Sequence, residues 1–404
     1  MTENYDVIII GSGIIGNSTA AHLASENLKV AVINSTSLGM PASVAAAGLY
    51  QLQLGELENS AVKDFCCKSF EYFQTFYETI RTSTDLSNID LGFNQCGSLY
   101  LIFSNTEIAQ KENELKELKA ITSNVLFLNK QEIFKYEPGI TKETLGAYHY
   151  PDEGFINNPK FLKAISAYCL ERKITFLNTE VTNIKIENNN VERIELANGE
   201  NIKAKKYVLC NGVWANNVLK KLFNTNENII NGIKGQMLQV LLPEEASLKK
   251  VIFCHDGYIV PRPATNKFEK QSLLVGGTYE EVNIEENNDV FKNTVSGIYK
   301  LTALLQRLLP GYKDYPIINF WSGIRPQAKD NLPILGGMEE IQNIYFALGH
   351  YRNGILMGPL TGKILKDMIL GNTLEYNINP FKINRLLKTS NSPSKSNGRV
   401  VVKY

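Results

Sequence analysis

The hydrophobic pattern opens on a continuous apolar run, Val7 to Ile10, whose β-branched residues read as a strand buried on both faces. The next block changes period: Asn17 to Glu26 is Ala-rich with helical spacing, and Val30 to Ile33 returns to a short strand. Between the first strand and the helix stand Gly11, Gly13 and Gly16, at G-x-G-x-x-G spacing. Gly11 permits a tight turn, Gly13 lets backbone approach a pyrophosphate, and Gly16 lets the helix lie close on the strand. The helix N-terminus then offers unpaired N–H groups and a positive dipole end to phosphates. A close-packed βα turn with no ligand would have the same spacing, but the strand–turn–helix–strand order favours dinucleotide binding. Where such folds usually place an acid for the ribose hydroxyls, this chain has Asn34, which can donate and accept but brings no charge.

Further along, Ser35 to Leu49 is built of small residues, which suits either a tight loop feeding a packed helix or backbone lying against a large flat ligand. Ser60 to Thr82 has helical spacing with Phe65, Phe70, Phe73 and Phe76 on its apolar face and reads as core. Gly97 to Phe103 reads as a strand, Ser104 to Glu107 as a capping box opening a helix through Ala120, and Glu137-Pro138-Gly139 as the end of a short helix. A helix is expected from Asn158-Pro159 to about Arg172, then a strand from Ile174 to Leu177. A hairpin series follows, with turns at Asn188–Asn190 and Asn198-Gly199. Lys206 to Cys210 is an apolar strand running into Asn211-Gly212-Val213-Trp214, a second strand–glycine–helix element that returns to the first sheet. A strand-rich block from Ile233 to Gly276, a helix from Asn293 to Leu309, a strand from Ile344 to Ala347 and a small-residue helix from Pro359 to Leu370 complete the order.

At 404 residues the chain suggests two domains, and its alternating elements make them discontinuous in sequence. Apolar content of 44% and charged content of 21% are those of an ordinary globular protein. Lys+Arg 42 against Asp+Glu 41 leaves no net field to recruit nucleic acid or an anionic membrane. No apolar run approaches the ~18 residues of a membrane span, and no signal peptide is visible. Six cysteines without paired spacing and four scattered histidines argue against a disulfide framework or a metal site. A cytoplasmic protein with reduced thiols is the expectation.

The motifs Ala45-Ala-Ala-Gly48, Asn211-Gly-Val-Trp214, Tyr258-Ile-Val-Pro-Arg262, Phe320-Trp-Ser-Gly-Ile-Arg-Pro326 and Gly349-His-Tyr-Arg-Asn-Gly-Ile-Leu356 occur in this order. Together they resemble the D-amino-acid oxidase superfamily of flavoproteins, and within it the glycine oxidases of bacterial thiazole (thiamine) biosynthesis, from about Tyr5 to about Leu387. The resemblance implies FAD on a Rossmann-like α/β domain, covered by a second, antiparallel-sheet α+β domain that holds substrate. The FAD domain is expected at 1–85, 146–222 and 326–388, the substrate domain at 86–145 and 223–325, and a mobile Ser/Asn/Lys-rich tail at 389–404. It implies cofactor contacts from Gly11, Gly13, Ile14, Ile15, Gly16, Asn34, Ser35, Ala42, Ser43, Ala47, Gly48, Leu49, Val181 and Gly212. The segment His350, Tyr351, Arg352, Asn353, Gly354, Ile355 and Leu356 completes that set. Arg325 would grip the substrate carboxylate, Tyr258 would add a hydroxyl, and Arg352 would lie between carboxylate and flavin. Departures from the family pattern are Asn34 for a usual Glu, Ala42 and Val44 for hydroxyl-bearing residues, and Leu49 and Tyr279 for methionines.

The residues read compatibly on their own chemistry. An arginine fork is planar, always charged and shaped for a carboxylate. Gly323-Ile-Arg325-Pro326 is expected to set that fork on a stiff turn, although a structural salt bridge would use arginine equally well. His255 and His350 read as structural. The implied reaction is oxidation of glycine, sarcosine or a D-amino acid to an oxo acid and ammonia, with oxygen as acceptor and hydrogen peroxide as by-product. It has no obligatory base, and the helix near Gly354 turns its positive end to the flavin. The alternative is a flavin dehydrogenase of D-amino acids or proline that uses a non-oxygen acceptor. A homo-oligomer is left open.

Overall fold

The N-terminal apolar run sits in the middle of a parallel sheet. In the computed structural model, which describes residues 4–35, 39–52, 59–83, 90–118, 124–223, 225–264, 269–285 and 288–387, strand Asn4–Ile10 lies between Val30–Asn34 and Asn201–Leu209. Ile8 is in register with Ala31 on one side and Tyr207 on the other. Thr175–Asn178 extends the sheet at one end, Ile344–Leu348 and the antiparallel Ile334–Gly337 at the other. Alternate residues of the first strand enter different cores, which is why the run carries no polar position. Val7 and Ile9 pack with helices Ile14–Leu23, Ser60–Thr82, Asn158–Glu171 and Gly354–Leu370. Ile8 and Ile10 pack with the hairpin Val181–Glu187/Asn190–Leu196. Asn188 and Asn189 take the left-handed conformation (φ 49° and 57°) that a two-residue hairpin of this twist needs.

The second sheet is nine-stranded and mostly antiparallel. Ile230–Leu241 pairs with Ser272–Gly276 and Glu280–Val282 on one side and with Ile317–Ala328 on the other. The sheet continues through Gly257–Arg262, Val251–Cys254, Ser98–Ile102, Gly146–Tyr150 and Leu126–Asn129. Helix Val295–Leu308 covers its far face with Leu301, Leu304, Leu305 and Leu308. A smaller cluster, which includes Ala47, Phe155, Met237, Phe253 and Val260, lies between this sheet and the small-residue segment.

Several boundaries differ from expectation. Gly146–Tyr150 is a strand of the second sheet, so the change of domain expected at 146 falls later. Arg325 and Pro326 do not form a turn; both lie in strand Ile317–Ala328. Among the described strands it pairs only with Ile230–Leu241, with a single isolated bridge from Gln327 to His350 on its other side, so it is close to an edge, and an edge tolerates proline because most of one row of N–H groups needs no partner. The first helix begins at Ile14, directly after the glycine turn, and the last begins at Gly354 and takes Pro359 into its second turn. The capping box at Ser104 is half formed. The Glu107 N–H donates to Ser104 Oγ at 3.2 Å, while the Glu107 carboxylate reaches one residue further back, to the Phe103 N–H. A complete one occurs instead at Asn129 and Glu132. All six cysteines are free, as expected, and burial pushes their thiols up in pKa. No helix among the described residues is long and apolar enough to cross a membrane. The 389–404 tail lies outside the described residues.

Candidate active site

A cleft of about 1980 Å³, its mouth included, runs between the two sheets. Its lining runs from the glycine turn of the first sheet to Tyr258 and Arg325 on the second. The glycine turn forms part of its wall. Gly11 has φ +112°, and a Cβ there would lie 2.6 Å from the Cys210 carbonyl oxygen. Gly16 is the one expected contact that does not line the cleft, because its work is packing: a Cβ would meet the Gly11 carbonyl oxygen at 1.9 Å. Gly13 caps the first helix with no side-chain cap and no acid in the first turn. One of that helix's free donors is already used, since the Ile14 N–H donates to Ser43 Oγ at 2.9 Å.

The other expected cofactor contacts, Ile14, Ile15, Asn34, Ser35, Ala42, Ser43, Ala47, Gly48, Leu49, Val181, Gly212 and His350 to Leu356, all line the same cleft. Helix Gly354–Leu370 begins there, again with no side-chain cap and no first-turn acid. Two buried side-chain oxygens on the wall, Asn211 Oδ1 and Gln51 Oε1, have no hydrogen-bond partner among the described residues. Uncapped helix N-termini, side-chain-free turns and orphaned acceptors fit a flavin dinucleotide, whose phosphates need donors and whose ring system carries an N–H.

At the substrate end Arg325 and Tyr258 line the cleft together, and glycines make room for both. A Cβ on Gly235 would lie 2.3 Å from Arg325 Nη2, so the guanidinium rests flat on the neighbouring strand. A Cβ on Gly276 would lie 2.6 Å from the Tyr258 ring. The Tyr258 hydroxyl has a weak contact with Met237 Sδ at 3.7 Å. Arg325 donates to the Thr278 carbonyl at 3.3 Å and forms no ion pair with a carboxylate among the described residues, which removes the structural salt-bridge alternative there. Arg352 also lines the cleft but is exposed. Tyr279 is 48% exposed, and burial of its hydroxyl, with Tyr351 and Glu281 nearby, pushes it up to about 12. His350 is buried, its Nε2 3.0 Å from Thr361 Oγ1, and burial pulls it down to about 4, which suits a structural rather than a proton-transferring role. His255 is exposed.

Sequence reasoning missed Gly235, Gly276, Met237 and Gln51 and gave Gly323 a place in a turn rather than in a strand. An isolated glycine inside a strand marks close approach of another group, and that signal was present at the three glycines.

Known proteins share this architecture. Residues 6–368 match the family model described as DAO, FAD dependent oxidoreductase. A glycine oxidase of Bacillus licheniformis is 32% identical over 95% of this chain and 98% of its own. A bifunctional protein ThiO/ThiG of Trichormus variabilis is 32% identical over 96% of this chain, which spans only 56% of that protein's length. The crystal structure of glycine oxidase from Geobacillus kaustophilus superposes with a TM-score of 0.85 at 26% identity, covering 95% of this chain and 99% of the other.

Proposed function

The chain belongs to the DAO family of FAD-dependent oxidoreductases, and from that membership we propose that it oxidatively deaminates glycine or another small amino acid. One water and one O2 enter, and an oxo acid, ammonia and hydrogen peroxide leave. When bound, FAD supplies the acceptor for the two electrons and the hydrogen leaving Cα. The chain's own residues supply binding and orientation. Arg325 grips the substrate carboxylate with two parallel N–H donors, Tyr258 adds a hydroxyl, and the pair holds Cα in one attitude inside the cleft. The N-terminus of helix Gly354–Leu370 contributes a positive dipole end at the same wall. No side-chain base is required, in keeping with the buried, hydrogen-bonded state of His350.

The observation that carries this reading is the Arg325 guanidinium: cleft-lining, without an acid partner among the described residues, and given its place by Gly235. Names of relatives support glycine as the first amine to test, and a place in thiamine biosynthesis and a cytoplasmic location are part of the same proposal. The purified protein should show a flavin spectrum that bleaches anaerobically with at least one of glycine, sarcosine, D-alanine or D-proline and yields peroxide in air. Arg325→Ala should lose about 2–5 kcal/mol in kcat/KM, because a substrate carboxylate is left buried and unpaired. A flavin that none of these amines reduces defeats the proposal, and unchanged kcat/KM in Arg325→Ala removes that residue from the site.

A further inference from the structure

Four successive carbonyls on the cleft wall are held by donors from outside their own segment. Ala45 O accepts from Trp321 Nε1 at 2.9 Å, Ala46 O from Asn158 Nδ2 at 2.7 Å, Ala47 O from Arg262 Nη2 at 2.5 Å, and Gly48 O from the Ile156 N–H at 2.7 Å. A peptide is planar, so fixing a carbonyl on one side aims the next residue's N–H to the other. The Ala47 and Gly48 N–H groups have no acceptor among the described residues, and both residues line the cleft.

Arg262 is the unusual member of this set. It shares a strand face with Tyr258 and Val260, and its guanidinium also reaches Ile156 O at 3.4 Å and Pro261 O at 3.3 Å while lying 4.8 Å from the centre of the Phe155 ring. No carboxylate pairs with it among the described residues, and burial pulls it down to about 10, still cationic at neutral pH. A charge left unpaired behind a cleft wall is expensive unless it serves something. Nη2 alone joins the two chain segments on which the Gly48 peptide depends, Ala47 and Ile156, while Nη1 is tethered to the Pro261 carbonyl; a lysine nitrogen, one bond shorter and without that second arm, would not be held at the same point.

We propose that Arg262 is a positioning residue of the reaction: its fork fixes the Ala47 carbonyl so that the Gly48 N–H faces the cofactor. The proposal rests on the FAD reading of the cleft and not on which amine is oxidised. Its test uses the full-length flavoprotein and its apoprotein, with Arg262→Met and Arg262→Lys compared with wild type. The measurements are FAD affinity, the visible spectrum and midpoint potential at saturating FAD, and amide exchange of 46–49 without cofactor. Arg262→Met should weaken FAD binding roughly tenfold or more, on the scale of losing a charged hydrogen bond. It should also alter the flavin bands, lower the potential and speed exchange of the segment. Arg262→Lys keeps the charge and so the potential, but should recover neither affinity nor protection.

Wild-type affinity, spectrum and exchange in Arg262→Met overturn the proposal, whatever its melting temperature. Full recovery of affinity and protection by lysine overturns it too, and decides the matter if the methionine variant does not fold. Failure of the wild-type protein to bind FAD would defeat the cofactor reading itself, a result distinct from either of these.

Discussion

Gly235→Ala separates the site from the fold. The added Cβ would lie 2.3 Å from Arg325 Nη2, 2.4 Å from Nη1 and 2.5 Å from Cζ, whereas ordinary contact begins at 3.4 Å. The guanidinium must therefore back away by about 1.1 Å, the difference between 3.4 and 2.3 Å. What yields is the free end of a long side chain, not backbone, and alanine is intrinsically better than glycine in a strand by roughly 0.5–1 kcal/mol. Stability should hold or rise slightly. A displacement of ~1 Å at a group that orients substrate can cost on the order of 100-fold, or about 2.7 kcal/mol. Anaerobic stopped-flow reduction should show this loss in kcat/KM for the amino acid, borne chiefly by KM, with an unchanged thermal melt. A kcat/KM within twofold of wild type would refute the placement of Arg325 at the carboxylate. A large drop in melting temperature would show that the alanine strains the sheet instead.

Tyr258→Phe removes a hydroxyl that contacts Met237 Sδ weakly, at 3.7 Å, so stability should change by less than about 1 kcal/mol while KM rises several-fold; an unchanged KM would leave the hydroxyl without a role in binding. Gly16→Ala puts a methyl 1.9 Å from the Gly11 carbonyl oxygen, where only backbone can move, and should cost about 3 kcal/mol or more together with bound flavin; full flavin content at the wild-type melting temperature would contradict this. Burial holds Glu153 up at about 7 against an ordinary 4.5, so its contribution to stability is complete below pH 4.5 and is lost as pH rises through 7. Glu153→Gln should therefore stabilise the protein at pH 8 relative to pH 5, read as the shift in urea midpoint, and equal shifts at both pH values would refute it. His22, His149 and His350 are each held at about 4 by burial. The unfolded chain protonates them from about pH 6.5 downward and the folded one does not, so stability should fall between pH 6.5 and 4; a flat profile across that window, with Glu153 replaced, would argue against buried neutral imidazoles.

The dinucleotide half was legible in the letters because its determinants are local. A buried parallel strand has no polar face, and the turn after it needs glycine at Gly11 for its φ of +112° and at Gly16 because the Gly11 carbonyl stands in the way of a side chain. The hairpin turn at Asn188-Asn189 was legible for the same reason. The placement of Arg325 was not: Pro326 suggested a turn, and only the tertiary structure, in which strand Ile317–Ala328 has no further described strand beyond it and one isolated bridge from Gln327 to His350, shows that proline in a tolerable near-edge position. Gly235 and Gly276 have a reason to be glycine only in the folded chain, where the Arg325 and Tyr258 side chains lie over them.

The sequence by itself determined a strand–glycine–helix element and the small-residue segment that follows it, and it pointed to Arg325 and Tyr258 only through resemblance to a family. The tertiary structure alone decided which glycines cradle those side chains and which donors hold the wall from Ala45 to Gly48. Ala47 and Arg262 are joined across 215 positions of chain, and a hydrogen bond of that span leaves no period or spacing in the residues around either end.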